Sequence, residues 1–129
     1  MSTDSLPTPA EVEQFLRELH QKMDHTPNLW PIVFLDRRDN KNRQALIDLN
    51  IRPADRIPYI RRLTPYDYCQ GPRPDTDNPP PGKGPLWVFG TLVNQTMVYI
   101  KIQLGDFNGA PICISFHPEE HPLRFPFRP

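Results

Sequence analysis

The sequence predicts an α+β fold in which amino-terminal helices pack on one face of a small antiparallel sheet that ends in a three-stranded meander. Three features of the chain point that way. Val12, Phe15, Leu16, Leu19 and Met23 recur at helical spacing. Val98, Ile100, Ile102 and Leu104 alternate with Tyr99, Lys101 and Gln103, the period of a strand with one buried face. Proline punctuates the rest, with 18 in 129 residues, too many for a bundle of long helices.

Thr8-Pro9-Ala10-Glu11 opens the first helix, with Thr8 as N-cap, Pro9 at the first helical position and Glu11 closing a capping box. Leu29 to Leu35 is apolar and partly β-branched, and predicts a short edge strand that tolerates Pro31. Asp39 or Asn40 can cap a second helix that turns Ala45, Leu46 and Leu49 inward. Pro53 and Asp55 mark a third helix start with Ile57, Ile60 and Leu63 on its apolar side, and Pro58 is expected to split or kink it.

Residues 71–85 (GPRPDTDNPPPGKGP) read as a long semi-rigid loop with neither helix nor strand. Strands at 86–92, 96–104 and 111–117 follow, joined by turns at Asn94-Gln95 and Gly105 to Gly109. In the last of them, Ile112, Ile114 and Phe116 are expected on one face and Cys113, Ser115 and His117 on the other. The proline-rich end, 118–129, should lie extended over the body.

Length and a hydrophobic fraction of 37% fit one domain over residues 1–129 with a small core. Formal charge is zero, yet residues 37–73 hold nine Arg or Lys against four Asp, a basic zone that favours an acidic partner. No apolar run approaches the roughly 18 residues of a membrane helix, and MSTDSLPTPAEVEQ lacks the basic and apolar regions of a signal peptide. The expected compartment is the cytoplasm, where Cys69 and Cys113 would be reduced thiols.

If the last strands pair as antiparallel neighbours, the phenol of Tyr99, the ammonium of Lys101 and the imidazole of His117 converge on one sheet face. Other chemistries fit less well. Pro118 and Pro122 forbid the helix that would align His117 and His121 on a metal, Gly82-Lys83-Gly84 lacks the spacing of a phosphate loop, and nothing activates Cys113 as a nucleophile. No cofactor or metal is expected.

Ala45 to Ile51, Ile57 to Leu63, Asp67-Tyr68, Trp87, Val98-Tyr99-Ile100-Lys101-Ile102 and Ile114-Ser115-Phe116-His117 together resemble the MqsR family of toxins. These are the ribonucleases of bacterial type II toxin–antitoxin pairs, with a RelE-like α+β fold. The resemblance spans most of the chain from the first helix to His117, with a longer proline-rich loop and an added tail. It implies metal-independent cleavage of mRNA by attack of the 2'-hydroxyl on the adjacent phosphate. It also implies a cognate antitoxin as partner, no membrane, and no DNA contact without the antitoxin. Tyr99 and Lys101 match the family's strand tyrosine and lysine. His117 stands where the family has lysine, Gln70 replaces a lysine after the Asp-aromatic pair, and Val88 replaces a glutamine after the tryptophan.

That chemistry needs a base, an acid and cations for the phosphate oxygens. His117 is the acid/base candidate, since an unperturbed imidazole titrates near neutrality. Tyr99 can orient the 2'-hydroxyl or act as base, and Lys101 can hold the phosphate. Arg73, Lys83 and Arg124 are candidate clamps on the RNA backbone, and Tyr68 and Trp87 candidate base-stacking platforms. A plainer alternative keeps the same fold as a non-catalytic RNA-binding or protein-interaction module, with Lys101 an edge-protecting charge and Trp87 a core residue.

Overall fold

The computed structural model describes residues 6–26, 30–36, 41–75 and 84–129. Helix α1 spans Pro9–His25 and starts as its sequence requires. The Glu11 N–H donates to the Thr8 hydroxyl (3.1 Å) while the Glu11 carboxylate accepts from the Thr8 N–H (2.9 Å), so two helix-end donors are satisfied reciprocally. Its buried stripe is Val12, Phe15, Leu16, Leu19 and Met23, each contributing about 1.5–3 kcal/mol through removal from water.

Helix α2 covers Lys41–Leu49 and buries Ala45 and Leu49, with Leu46 only half-buried. The cap candidates Asp39 and Asn40 lie outside the described residues. The third helical segment is divided ahead of Pro58 and not at it: a 3-10 turn at Pro53–Asp55 leads into a short α3, Arg56–Arg61, which runs on through Pro58. Pro58 sits in the first turn of α3, where no intrahelical partner awaits its missing N–H.

Five strands form one sheet: β1 (Val33–Phe34), β2 (Tyr68–Arg73), β3 (Leu86–Val93), β4 (Thr96–Gln103) and β5 (Ile112–Pro118), in the order β1-β5-β4-β3-β2. The α+β class and the β3-β4-β5 meander match the expectation, and three details correct it. The sheet is mixed, because β1 runs parallel to β5. A strand occupies residues 68–73, so the start of the proline-rich stretch is not loop. As the edge partner of β3 alone, β2 absorbs Pro72 through two register shifts, since an edge strand needs only half its ladder. Finally, Cys113 does not share a face with Ser115 and His117. A register shift between the Lys101↔Ser115 and Ile102↔Cys113 pairs leaves Ile114 unpaired and turns Cys113 into the core beside Phe116.

The β3-β4 turn has Asn94 and Gln95 both at positive φ (48° and 71°), the two-residue geometry that matches strand twist. The core lies between α1 and one sheet face, where Phe15 stacks on Trp87 (4.5 Å between centroids) and on Phe89 (5.9 Å). The opposite face carries Val88, Gly90, Tyr99 and Lys101, whose register pairs Val88 with Lys101 and Gly90 with Tyr99. The tail after β5 crosses this face as far as Phe125, then turns at Pro126-Phe127. Leu123 and Phe125 lie so close to Gly90 that a Cβ there would stand 2.6 Å and 2.9 Å from them. Beyond, Phe127 stacks on Tyr68 (5.2 Å), and the Arg128 guanidinium reaches the Tyr66 carbonyl and the Asp67 carboxylate.

Candidate functional site

Where the tail stops short of covering the sheet, the outer face of β4 and β5 floors a groove of about 630 Å³. Tyr99, Lys101, Ser115 and His117 form that floor, Gln70 and Arg73 of β2 stand on one side, and His121 to Arg124 of the tail supply a wall. The register explains the convergence. Tyr99 is directly opposite His117 and Lys101 opposite Ser115, both pairs on the face that the Ile114 bulge re-aims.

Cross-strand pairing brings the Tyr99 and His117 rings into a stack, centroids 5.4 Å apart and planes inclined by 16°. The His117 Nδ1 is 2.9 Å from the Pro118 carbonyl, an atom that can only accept. Nδ1 therefore carries a proton and Nε2 is the nitrogen left for exchange, accepting when the ring is neutral and donating when it is charged. Arg73 holds the phenol: its Nη2 donates to the Tyr99 hydroxyl oxygen at 3.3 Å, and its Nη1 donates to the Gln70 amide oxygen at 2.8 Å. With one lone pair engaged by a guanidinium, the Tyr99 O–H is left to donate outward.

Lys41, at the start of α2, closes the far side through a 2.8 Å ion pair with Glu120. The hydrogen bond and charge of Lys41 hold the Glu120 carboxyl below the usual carboxylate range, helped by the His117 and His121 imidazoles. Cys69 also lines the groove, but burial pushes its thiol up to about 12, and burial does the same to Cys113 in the core. Neither thiol is a nucleophile in this state.

Of the residues expected at the site, Tyr99, Lys101, His117, Arg73 and Arg124 meet at this groove. Two expectations fail. Tyr68 and Trp87 are 1% and 9% exposed and point into the aromatic core, where Tyr68 meets Trp87, Phe89 and Phe127 edge-on or stacked and donates its hydroxyl to the Gly71 carbonyl. Rings so enclosed cannot serve as base platforms. Lys83 lies outside the described residues. Spacing raised His121 only as a metal ligand with His117 and did not place Lys41, Glu120 or His121 at this groove, because the tail that brings them together is held by Phe125 and Phe127, whose destinations no periodicity reveals.

Among the described residues, no group of three or more His, Cys, Asp and Glu side chains is placed to hold a metal ion, and no helix is long and apolar enough to cross a membrane. Compared with protein-family models, with curated proteins and with solved structures, the chain finds no match.

Proposed function

We propose that the groove binds single-stranded RNA and cleaves it by 2'-hydroxyl attack, without a metal. The observation that carries this reading is the pairing of a phenol held by a guanidinium with an imidazole whose Nε2 is available, beside a lysine, on the floor of an open groove. A neutral His117 Nε2 takes the 2'-hydroxyl proton, the oxygen forms a bond to phosphorus, and the bond to the 5'-oxygen breaks as that oxygen takes a proton from a water molecule in the open groove, the imidazolium then giving its proton to the hydroxide left behind. The products are a 2',3'-cyclic phosphate and a 5'-hydroxyl end. Tyr99 orients the attacking hydroxyl or the phosphate through its outward O–H. Lys101 and Arg73 stand where charge grows on the phosphoryl oxygens, the usual location of the largest electrostatic contribution. Arg124, on the tail wall, tracks the backbone.

On the same reading the protein is an MqsR-like, RelE-superfamily toxin. It acts on mRNA in the cytoplasm and is held inactive by a cognate antitoxin. The support is the strand motif Val98 to Ile102 followed by Ser115-Phe116-His117, together with the groove that Tyr99, Lys101, Ser115 and His117 of those segments line.

Inducible expression with growth and RNA integrity as readouts tests the proposal. The parent is expected to arrest growth and fragment mRNA, and His117→Ala to lose about 100-fold or more of the cleavage rate, the scale of a general acid–base catalyst. Lys101→Ala should lose a similar factor. Intact RNA with the parent chain rejects the nuclease, and retained RNA binding in that case establishes the non-catalytic module. Full cleavage by His117→Ala, Tyr99→Phe and Lys101→Ala would move the chemistry elsewhere.

A further inference from the structure

Beside the main groove lies a second hollow of about 490 Å³ between α2 and the start of the tail. Lys41, His117 and Glu120 line both, so the ion pair between Lys41 and Glu120 stands as a bar where the two join. The bar is an odd construction for a groove that gathers cations. Each partner's side chain keeps 55% of its exposure, and an ion pair that wet adds little to the stability of the fold.

What it does is place one carboxylate 2.8 Å from Lys41 at the junction that His117 also lines, with His121 on the main-groove side and Asp48 and Glu119 on the side of the second hollow. A carboxylate in contact with an ammonium, at the mouth of a groove lined by Lys101, Arg73 and Arg124, occupies the place an incoming anion would take. Its side chain is free to swing while the backbone stays in place: the Glu119 N–H donates to the Met97 carbonyl and the Glu119 carboxylate accepts from the Leu123 N–H, whereas the Glu120 side chain keeps more than half of its exposure.

We propose that Lys41 is the cation of a phosphate subsite adjoining His117, and that Glu120 is its internal placeholder, displaced when a phosphate group binds. The proposal deepens the RNA reading, since on that reading the group is the phosphodiester next to the one aligned on Tyr99 and Lys101. The chemistry of the subsite, a phosphate meeting an ammonium, stands apart from whether the phosphate belongs to RNA. A tetrahedral dianion or a diester offers Lys41 as many acceptor oxygens as a carboxylate does, and in addition brings negative charge toward His117 and His121.

Two titrations of the full chain separate the proposal from the reading it rests on. In the first, inorganic phosphate is added and the imidazole resonances of His117 and His121 are followed by NMR for the parent, Glu120→Gln, Lys41→Gln and the double variant. Removing the placeholder should tighten phosphate binding about two- to fivefold, the scale of one exposed ion pair, and the double variant should bind no better than the parent. Binding by Glu120→Gln no tighter than the parent's overturns the proposal, as does a gain that survives loss of Lys41. In the second, a fluorescent 2'-O-methyl oligoribonucleotide, which cannot be cleaved by 2'-hydroxyl attack, is titrated at several salt concentrations. Lys41→Gln should flatten the salt dependence by about 0.7 in the slope of log K on log salt, one phosphate contact on a single strand. An oligonucleotide that never binds, with the phosphate result intact, removes the RNA reading and leaves the subsite. A slope unchanged by Lys41→Gln, with RNA bound, overturns the placement of the strand's phosphate on Lys41.

Discussion

Cys113 and Cys69 show how one residue type takes its chemistry from its surroundings. Both thiols are free and buried, and burial pushes each from the ordinary 9.0 up to about 12. For Cys69 the nearby Arg128 offsets part of the effect, while Asp67 and Glu119 add to it. Each folded-state value lies above the unfolded one, so the native protein keeps a proton that the unfolded chain releases between about pH 9 and 12. Stability contributed by the buried neutral thiols is fully present below pH 9 and is lost as pH rises through that window. Native protein at pH 8 should therefore react with a disulfide reagent at least about tenfold more slowly than the chain in denaturant, and the denaturation midpoint should fall between pH 9 and 10.5. Rapid labelling of both cysteines in the folded protein would show that the burial is wrong. Arg56 is likewise defined by what surrounds it. Only 1% exposed, it donates to both Asp36 oxygens (2.8 and 3.0 Å) and to the Pro53 carbonyl, and its guanidinium lies 3.7 Å from the centre of the Phe34 ring. A lysine cannot reproduce that fork, so Arg56→Lys should destabilise by about 2 kcal/mol, read as a shift in the urea midpoint.

At the scale of elements, one side chain in α2 explains why the groove exists. Asn42, buried in its helix, donates to the Leu35 carbonyl (3.0 Å) and the Ile114 carbonyl (2.9 Å) and accepts from the Phe116 N–H (3.0 Å). Those groups flank the β5 bulge, where ladder pairing is interrupted. Asn42 thus satisfies the backbone that the bulge leaves open, and the bulge in turn sets Ser115 and His117 on the groove face. Asn42→Ala would strand a buried N–H and should cost at least about 2 kcal/mol. It should also weaken the Tyr99–His117 stack, visible as a loss of ring-current shift at the His117 imidazole. A variant as stable as the parent, with the stack intact, would remove this role. The same bulge marks where the sequence misleads. Strict alternation correctly placed Tyr99, Lys101 and His117 on one face, but carried one residue too far it put Cys113 there as well. Nothing in Ile112 to His117 announces a bulge, because its partner Asn42 is far away in the chain and reads there as an ordinary polar helix residue. Strand β2 was hidden for a related reason: Pro72 argues against a strand until its edge position is known. The start of helix α1 and its buried face were legible to the residue, since its cap, its proline and its apolar stripe are all local.

Across the whole molecule, the tail decides which part of the outer sheet face is core and which is groove. Val88 is fully buried on that face, while Tyr99 and His117, one strand or two away, stay half-exposed. The boundary is set by Leu123 and Phe125 over Gly90, by Phe127 on Tyr68, and by Arg128 tied to Tyr66 and Asp67. A glycine at position 90 is what lets the tail lie this close, and the register puts it directly opposite Tyr99. Any Cβ at 90 must push Leu123 and Phe125 outward. Because those contacts are to the ends of side chains, Gly90→Ala should cost only about 1–3 kcal/mol, with Gly90→Val costing more. Such a lesion is expected to act on the tail first: limited proteolysis should cut within residues 119–129 several times faster than in the parent, while helicity, carried by α1 and its contacts with Trp87 and Phe89, is unchanged. The wall supplied by His121 to Arg124 would move with it, so RNA affinity should fall in step with tail cleavage. If protease sensitivity rises and affinity does not change, the tail only shields the sheet and Arg124 has no part in binding.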